Sequence, residues 1–199
     1  MADRRAVQTA AVADVDAQLP VATRRRLLDA AVKLFGQFSF AGTSLQMIAD
    51  ELDFTKAAIY YHFRTREELL LALMEPILGE IRVVVENAEA QHDAQAQAQA
   101  MLSGYADIVA RNRSLAAVTT FDPSVSRVLR GQPEWATLID RQHVLLGGIA
   151  SAVPGAVTAA VVLTGLAGAA SMASRRVDDE TLCAHLIEVG RRTLGLPAL

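Results

Sequence analysis

Lys56, Ala57, Tyr60 and Tyr61 carry the most informative chemistry in this 199-residue sequence. On a helix that starts after Thr55, with 100° between successive residues, the four fall within a sector of about 140°. Ala58, Ile59, His62 and Phe63 fall in the opposite sector. One face therefore belongs to a core, and the other presents a cation, a methyl and two phenols to solvent. Exposed aromatic rings are unfavourable unless something covers them. A DNA major groove suits that face, because an ammonium donates to guanine acceptors, a methyl touches thymine, and phenols reach phosphates or base edges. Ordinary surface packing is the alternative for the tyrosine pair.

The other reactive side chains do not converge. Cys183 and His185 are two residues apart on a helical stretch, so they point about 200° away from each other and cannot pair as nucleophile and base. His92 and Asp93 lie in an Ala/Gln-rich segment, and the sequence has no zinc-hydrolase His-Glu-x-x-His, phosphate loop or dinucleotide fingerprint. No catalytic residue, metal or cofactor is expected. A single cysteine excludes an internal disulfide and fits a reducing, cytoplasmic setting.

The elements that would position the Lys56–Tyr61 face are all helical. Leu27, Leu28, Ala31, Leu34, Phe35 and Phe38 form one apolar stripe on a helix starting near Thr23. Arg24, Arg25 and Arg26 occupy its first turn, where each opposes the macrodipole by a few tenths of a kcal/mol. A phosphate partner explains them; a solvated basic start is the alternative. Thr43-Ser44-Leu45-Gln46 reads as a capping box that opens a second helix to Leu52. Thr55 caps a third helix running to about Phe63, and Thr65-Arg66-Glu67-Glu68 opens a long fourth, with Pro76 expected to kink it. Helix, tight turn, short helix is the helix-turn-helix arrangement.

Farther along, Ala88 to Ala100 reads as an exposed helix end or loop. Tyr105–Arg113 and Leu115–Phe121 follow as helices, then pieces opened by Pro123 and Pro133, then Gly155–Ala173 and Asp178–Leu194. The fold class is all-α, with nine or ten helices. A composition of 52% hydrophobic and 21% charged residues excludes disorder and collagen. Charge is uneven: residues 1–66 carry nine basic against seven acidic side chains, whereas 67–199 carry ten against fifteen. The first part is thus the place for an anionic partner. Seven of the ten aromatic residues lie between 35 and 63, as a small N-terminal unit needs for its core.

Residues 142–174 carry no formal charge and pass the length test for a membrane span. Pro154-Gly155 divides the run, its residues are mostly small, and no aromatic belt flanks it, so two packed helices are expected there. The start has no apolar stretch of signal-peptide length and reads as a flexible arm.

The stretch Thr23–Leu73 resembles the N-terminal DNA-binding domain of the TetR family of transcriptional regulators. The residues that carry the likeness are Ala-Gly-Thr-Ser-Leu at 41–45, Ile48-Ala49, Glu51-Leu52, Ile59-Tyr60-Tyr61-His62-Phe63 and Arg66-Glu67-Glu68-Leu69-Leu70. The resemblance implies a three-helix helix-turn-helix domain followed by a helical bundle that binds a small effector and dimerises. The implied division is an arm over 1–20, a DNA-binding domain over 21–66 and a ligand-binding and dimerisation domain over 67–199. Its partners would be a palindromic double-stranded operator, a second copy of the chain and a mainly apolar effector. By the same resemblance Thr43 and Ser44 are backbone contacts, Thr55, Tyr60, His62 and Arg66 hold phosphates, and Lys56, Ala57 and Tyr61 face bases. His62 lies on the core side by angle, so a structural imidazole is its alternative, and Tyr60 and Arg66 have packing and surface-charge alternatives. A helical bundle that does not bind operator DNA is the rival reading.

Two positions depart from the family pattern. Ser39 and Asp53 stand where the family usually has Gly, whose freedom at positive φ suits tight turns. In the second half, Met101, Tyr105, Phe121, Trp135 and His143 are candidate pocket residues because they combine apolar surface with adaptable or polar tips, with core packing the alternative for each. Ala159, Gly165 and Ala169 would let the last two helices approach a second subunit closely, as the resemblance implies; a tightly packed intramolecular core is the alternative.

Overall fold

The computed structural model describes the backbone of residues 2–150, 152–174 and 176–197, with side chains from Ala22 onward except at Ala152. The side chains of the segment read as an N-terminal arm lie outside the described residues. Ten helices and no strand are found among the described residues, and the class is all-α. The chain divides into two compact units, 1–69 and 70–199.

In the first unit, α1 (Ala2–Gly42), α2 (Leu45–Glu51), α3 (Lys56–His62) and the start of α4 (Arg66–Glu89) enclose a small core. Leu27, Ala31, Leu34 and Phe35 of α1 are buried, as are Leu45, Ile48 and Ala49 of α2, Ile59 of α3, Phe63 and Leu69. The expected apolar stripe holds as far as Phe35. Beyond it, Phe38 is exposed, and Ser39 takes φ 64°, ψ 166° and breaks the helical register. Phe40 turns inward instead, its ring edge-on to Phe35 at 5.2 Å. Asp53, at φ 55°, makes the α2–α3 turn. These two are the non-glycine residues with positive φ among the described residues, and they are the positions where the sequence departs from glycine.

Two local expectations need correction. The first capping box is displaced by one residue: Ser44 is the N-cap of α2 and its hydroxyl accepts from the Met47 N–H at 3.1 Å. Thr43 is buried, its hydroxyl donating to the carbonyls of Ser39 (2.8 Å) and Leu34 (3.3 Å), while Gln46 donates to Asp50 instead of reaching back. Arg24–Arg26 lie inside α1 and not at its first turn, so the macrodipole argument does not apply to them. The second capping box forms in one half: the Thr65 hydroxyl accepts from the Glu68 N–H, whereas Glu68 accepts from the Arg64 N–H and not from that of Thr65.

The second unit contains the rest of α4, α5 (Ala94–Arg111), α6 (Arg113–Phe121), α7 (Pro123–Arg130), α8 (Pro133–Gly147), α9 (Ala152–Met172) and α10 (Asp179–Leu194). α4 runs through Pro76 as one helix. The Ala/Gln segment is more ordered than its composition suggests, because the Asp93 carboxylate accepts from the Ala96 N–H and starts α5 a full three turns before Tyr105. Ala98, Met101 and Leu102 then bury its inner face. α9 lies at the centre and packs on α5, α6, α8 and α10. Val153–Met172 is long and apolar enough to cross a membrane by length and composition, yet Ala159, Val162, Leu166, Ala167 and Ala170 are buried against neighbouring helices. Gly155 in its first turn lets α9 touch α8, since a Cβ there would run into the Gly147 carbonyl oxygen.

Candidate nucleic-acid interface and effector cavity

Helix α3 is held by its two ends. The Thr55 hydroxyl accepts from the Ala58 N–H at 3.2 Å, and Ile59 and Phe63 anchor the inner side. Lys56, Ala57, Tyr60 and Tyr61 are all exposed, Tyr61 to 80%. The Lys56 Nζ lies 5.6 Å from the Tyr60 ring centroid, so the cation and this phenol share one patch. His62 is half-buried, edge-on to Tyr61 at 5.1 Å. The sector geometry expected for this helix is therefore the geometry found.

The cations around α3 divide by task. Arg24 stacks on Phe63 at 5.2 Å and Arg26 on Phe54 at 4.8 Å, so both brace the helix-turn-helix from α1. Arg66, expected to hold phosphate, donates to the carbonyls of Phe40 (3.1 Å), Ala41 (2.8 Å) and Thr43 (3.0 Å) and stacks on Phe40. It satisfies the carbonyls at the end of α1 that the helix itself leaves open. Thr43, Thr55 and Ser44 are likewise committed to internal hydrogen bonds, the last two while remaining exposed.

An open groove of about 410 Å³ connects the start of α2 to α3 and α4. Ser44, Gln46, Lys56, Tyr60, Arg64 and Arg66 line it. Gln46 and Arg64 were not singled out from sequence. Arg64 is exposed and directly follows α3, which was the available signal.

The second unit contains a cavity of about 250 Å³ bounded by α4 to α9. Met74, Ile77 and Ile81 of α4, Ile108 and Val109 of α5, and Leu163 and Ala167 of α9 give it apolar walls. Tyr105, Trp135 and His143 line it as the sequence suggested. Met101 and Phe121 do not: Met101 is sealed in the core of α5, and Phe121 is 62% exposed at the end of α6. The Tyr105 hydroxyl donates to the Leu163 carbonyl at 3.0 Å, and burial pushes its pKa upward, so the phenol stays neutral. Asn112, Gln142, Ser126 and Arg130 also line the cavity, unforeseen because no single-helix pattern places them together.

The groups weighed for catalysis are engaged separately. His185 Nδ1 lies 2.8 Å from the Thr181 carbonyl, and burial pushes the Cys183 thiol up, away from the reactive thiolate. His92 pairs with Asp93 at 3.0 Å on the surface, beside the cap of α5. No cluster of three or more metal-binding side chains occurs among the described residues.

Residues 27–73, which include the whole Lys56–Tyr61 face, match the family model for bacterial regulatory proteins of the tetR family. Over this segment the chain is similar to the TetR family. Residues 27–73 accordingly contain the helix-turn-helix, α2, the turn at Asp53 and α3. Among curated TetR-type relatives, the chain is 35% identical over 66 residues to an uncharacterized HTH-type transcriptional regulator, YerO, of Bacillus subtilis. That match covers 33% of this chain and 23% of the relative, so the chain spans a minor part of that protein's length. An HTH-type transcriptional regulator of Saccharopolyspora erythraea is 25% identical over 183 residues, covering 87% of this chain and 67% of that one. The ketosteroid transcriptional regulator KstR2 of Mycobacterium tuberculosis has the same TetR fold, with a TM-score of 0.67 at 15% identity over 86% of this chain and 93% of that one. The structure of AibR in complex with isovaleryl coenzyme A and operator DNA is similar at a TM-score of 0.61 and 18% identity, covering 84% of this chain and 97% of AibR.

Proposed function

We propose that this protein is a ligand-responsive transcriptional repressor that binds a palindromic operator as a homodimer in the cytoplasm. The observation that carries the reading is the solvent-facing quartet Lys56, Ala57, Tyr60 and Tyr61 on a helix braced from behind by Ile59 and Phe63. In the bound state Lys56, Ala57 and Tyr61 face bases, and Tyr60 and Arg64 reach phosphates from the groove. Ser44, Thr55 and His62 lie at the edge of the same surface and complete the backbone contacts. Thr43 and Arg66 act behind them, holding the end of α1 against the start of α2. The exposed chemistry supports DNA recognition over catalysis and over a scaffold role.

Dimerisation is assigned to α9 and α10. Val153, Val157 and Val161 are exposed at intervals of four and form one apolar stripe along α9, with Val189 exposed on α10. Gly165 and Ala169 add small exposed positions on α9. The cavity is the effector site, in keeping with the ligand held by AibR. An effector releases DNA by preferring a conformation whose half-site spacing departs from one helical turn of about 34 Å. α4 transmits the change, because Met74, Ile77 and Ile81 line the cavity and the helix begins three residues after the recognition helix is capped.

Selection of duplexes from a random pool tests the proposal. A palindrome enriched by the wild-type protein, with affinity falling steeply as salt rises, is the expected result. A folded dimer that enriches no sequence would favour the non-DNA-binding bundle.

A further inference from the structure

The charge on the cavity wall singles out one class of effector. Residues 67–199 carry five more acidic than basic side chains, yet no Asp or Glu lines the cavity. The lining carries one permanent cation, Arg130. Most described arginines of this unit are engaged: Arg111 with Glu80 and Asp107, Arg113 with Asp179, Arg141 with Glu89, Arg82 with Glu134. Arg130 has neither an ion pair nor a hydrogen bond among the described residues. It is exposed, which puts its guanidinium at the rim of the cavity. Ser126 lies one helical turn before it on the same face of α7 and also lines the cavity with its hydroxyl unspent. His143 contributes an unpaired imidazole from α8.

An apolar chamber with an unpaired guanidinium at its mouth is complementary to an amphipathic anion. A planar carboxylate takes two parallel hydrogen bonds from guanidinium, and such charge-assisted bonds are about twice as strong as neutral ones. The volume sets the size. About 250 Å³ falls just below the roughly 300–1,000 Å³ of cavities that enclose drug-sized ligands. A compact acid fills that volume, whereas a whole coenzyme A thioester exceeds it and would have to extend outside the mouth.

We propose that the effector is a compact monocarboxylic acid with an apolar body, its carboxylate held by Arg130 and Ser126 at the rim and its chain enclosed by the α4 and α9 walls. This rests on the cavity being the effector site. Trp135 is the single tryptophan of the chain and lines the cavity, so its fluorescence reports occupancy. The full-length protein is titrated with octanoate, with its neutral isostere octanamide, and with octanoyl-coenzyme A, using wild type, Arg130→Gln and Arg130→Lys. Octanoate should bind saturably and about tenfold or more tighter than octanamide, the difference expected of one charge-assisted pair. Arg130→Gln should erase that preference while leaving the melting temperature unchanged, and Arg130→Lys should retain part of it. Equal affinity for acid and amide, or an acid preference that survives Arg130→Gln, overturns the carboxylate assignment and leaves the cavity reading intact. Tighter binding of octanoyl-coenzyme A than of octanoate overturns the free acid as effector. Absence of a saturable response to all three overturns the cavity as effector site and the proposal with it.

Discussion

Ser39 holds φ 64° and ψ 166°, a region that glycine enters freely and other residues enter only under strain of about 1–3 kcal/mol. Its hydroxyl recovers part of this by accepting from the Gly42 N–H at 3.2 Å. Ser39→Gly removes the strain, forfeits that bond and gains chain entropy in the unfolded state, so a net stabilisation of about 0.5–1 kcal/mol is expected in thermal or urea unfolding. Asp53, at φ 55°, is less strained because the left-handed helical region tolerates Asp. Asp53→Gly should therefore change melting less than Ser39→Gly, while raising DNA affinity, on the proposed function, by removing a carboxylate next to the recognition helix. Comparing the two variants by melting and by DNA titration separates strain from charge.

Arg66 and Lys56 form a second contrast at this scale. Arg66 donates to three carbonyls with a third of its side chain exposed, so Arg66→Ala should lower stability by about 1–2 kcal/mol, below the upper range for charged hydrogen bonds. Lys56→Ala removes no described hydrogen bond and should leave the melting curve in place while relaxing base preference. Their angular positions made Lys56, Ala57, Tyr60 and Tyr61 legible from sequence. The task of Arg66 was not, because its partners lie at Phe40, Ala41 and Thr43, which no local pattern connects to it.

At the scale of elements, the helices that packing and caps both favour were readable, and α10 begins and ends as expected, with Asp178 capping it and Gly195 closing it at φ 70°. α5 was cut short in the sequence reading because alternating Ala and Gln offers no large apolar residue. Its start is fixed by the single carboxylate of Asp93, and small Ala98 suffices to bury the face. The end of α1 is less legible for another reason: one positive-φ residue, Ser39, redirects the chain after it and turns Phe40 into the core. Close approach between α8 and α9 depends on Gly155, whose missing side chain leaves room for the Gly147 carbonyl. Gly155→Ala puts a methyl against backbone that cannot rotate away, and a loss of about 1–3 kcal/mol in unfolding free energy is expected. An unchanged unfolding midpoint would show that α8 and α9 are not held this closely.

For the whole molecule, family and fold were legible because the helix-turn-helix core is local in sequence, within 27–73. The cavity was only partly so, since its lining is drawn from six helices and Tyr105, Trp135 and His143 were three members among many. The proposed dimer rests on the valine stripe on α9. Substituting Val157 and Val161 by Glu places like charges on both sides of a two-fold interface, so sedimentation should show the wild type as a dimer and the variant as a folded monomer. A wild-type monomer would remove α9 from the interface and with it the basis for palindromic recognition.

The outward face of α3 carries the proposed recognition of DNA. The decisive measurement is the affinity of the wild type and of the Lys56→Ala, Tyr61→Ala double variant for the duplex selected by the wild type and for a scrambled duplex, at one salt concentration. Both side chains are exposed and outside the core, so the variant should melt with the wild type. The expected result is a loss of discrimination between the two duplexes by about tenfold or more, with weak binding to any sequence retained through phosphate contacts. A double variant that still separates the two duplexes as the wild type does would contradict the reading of α3 as the recognition helix.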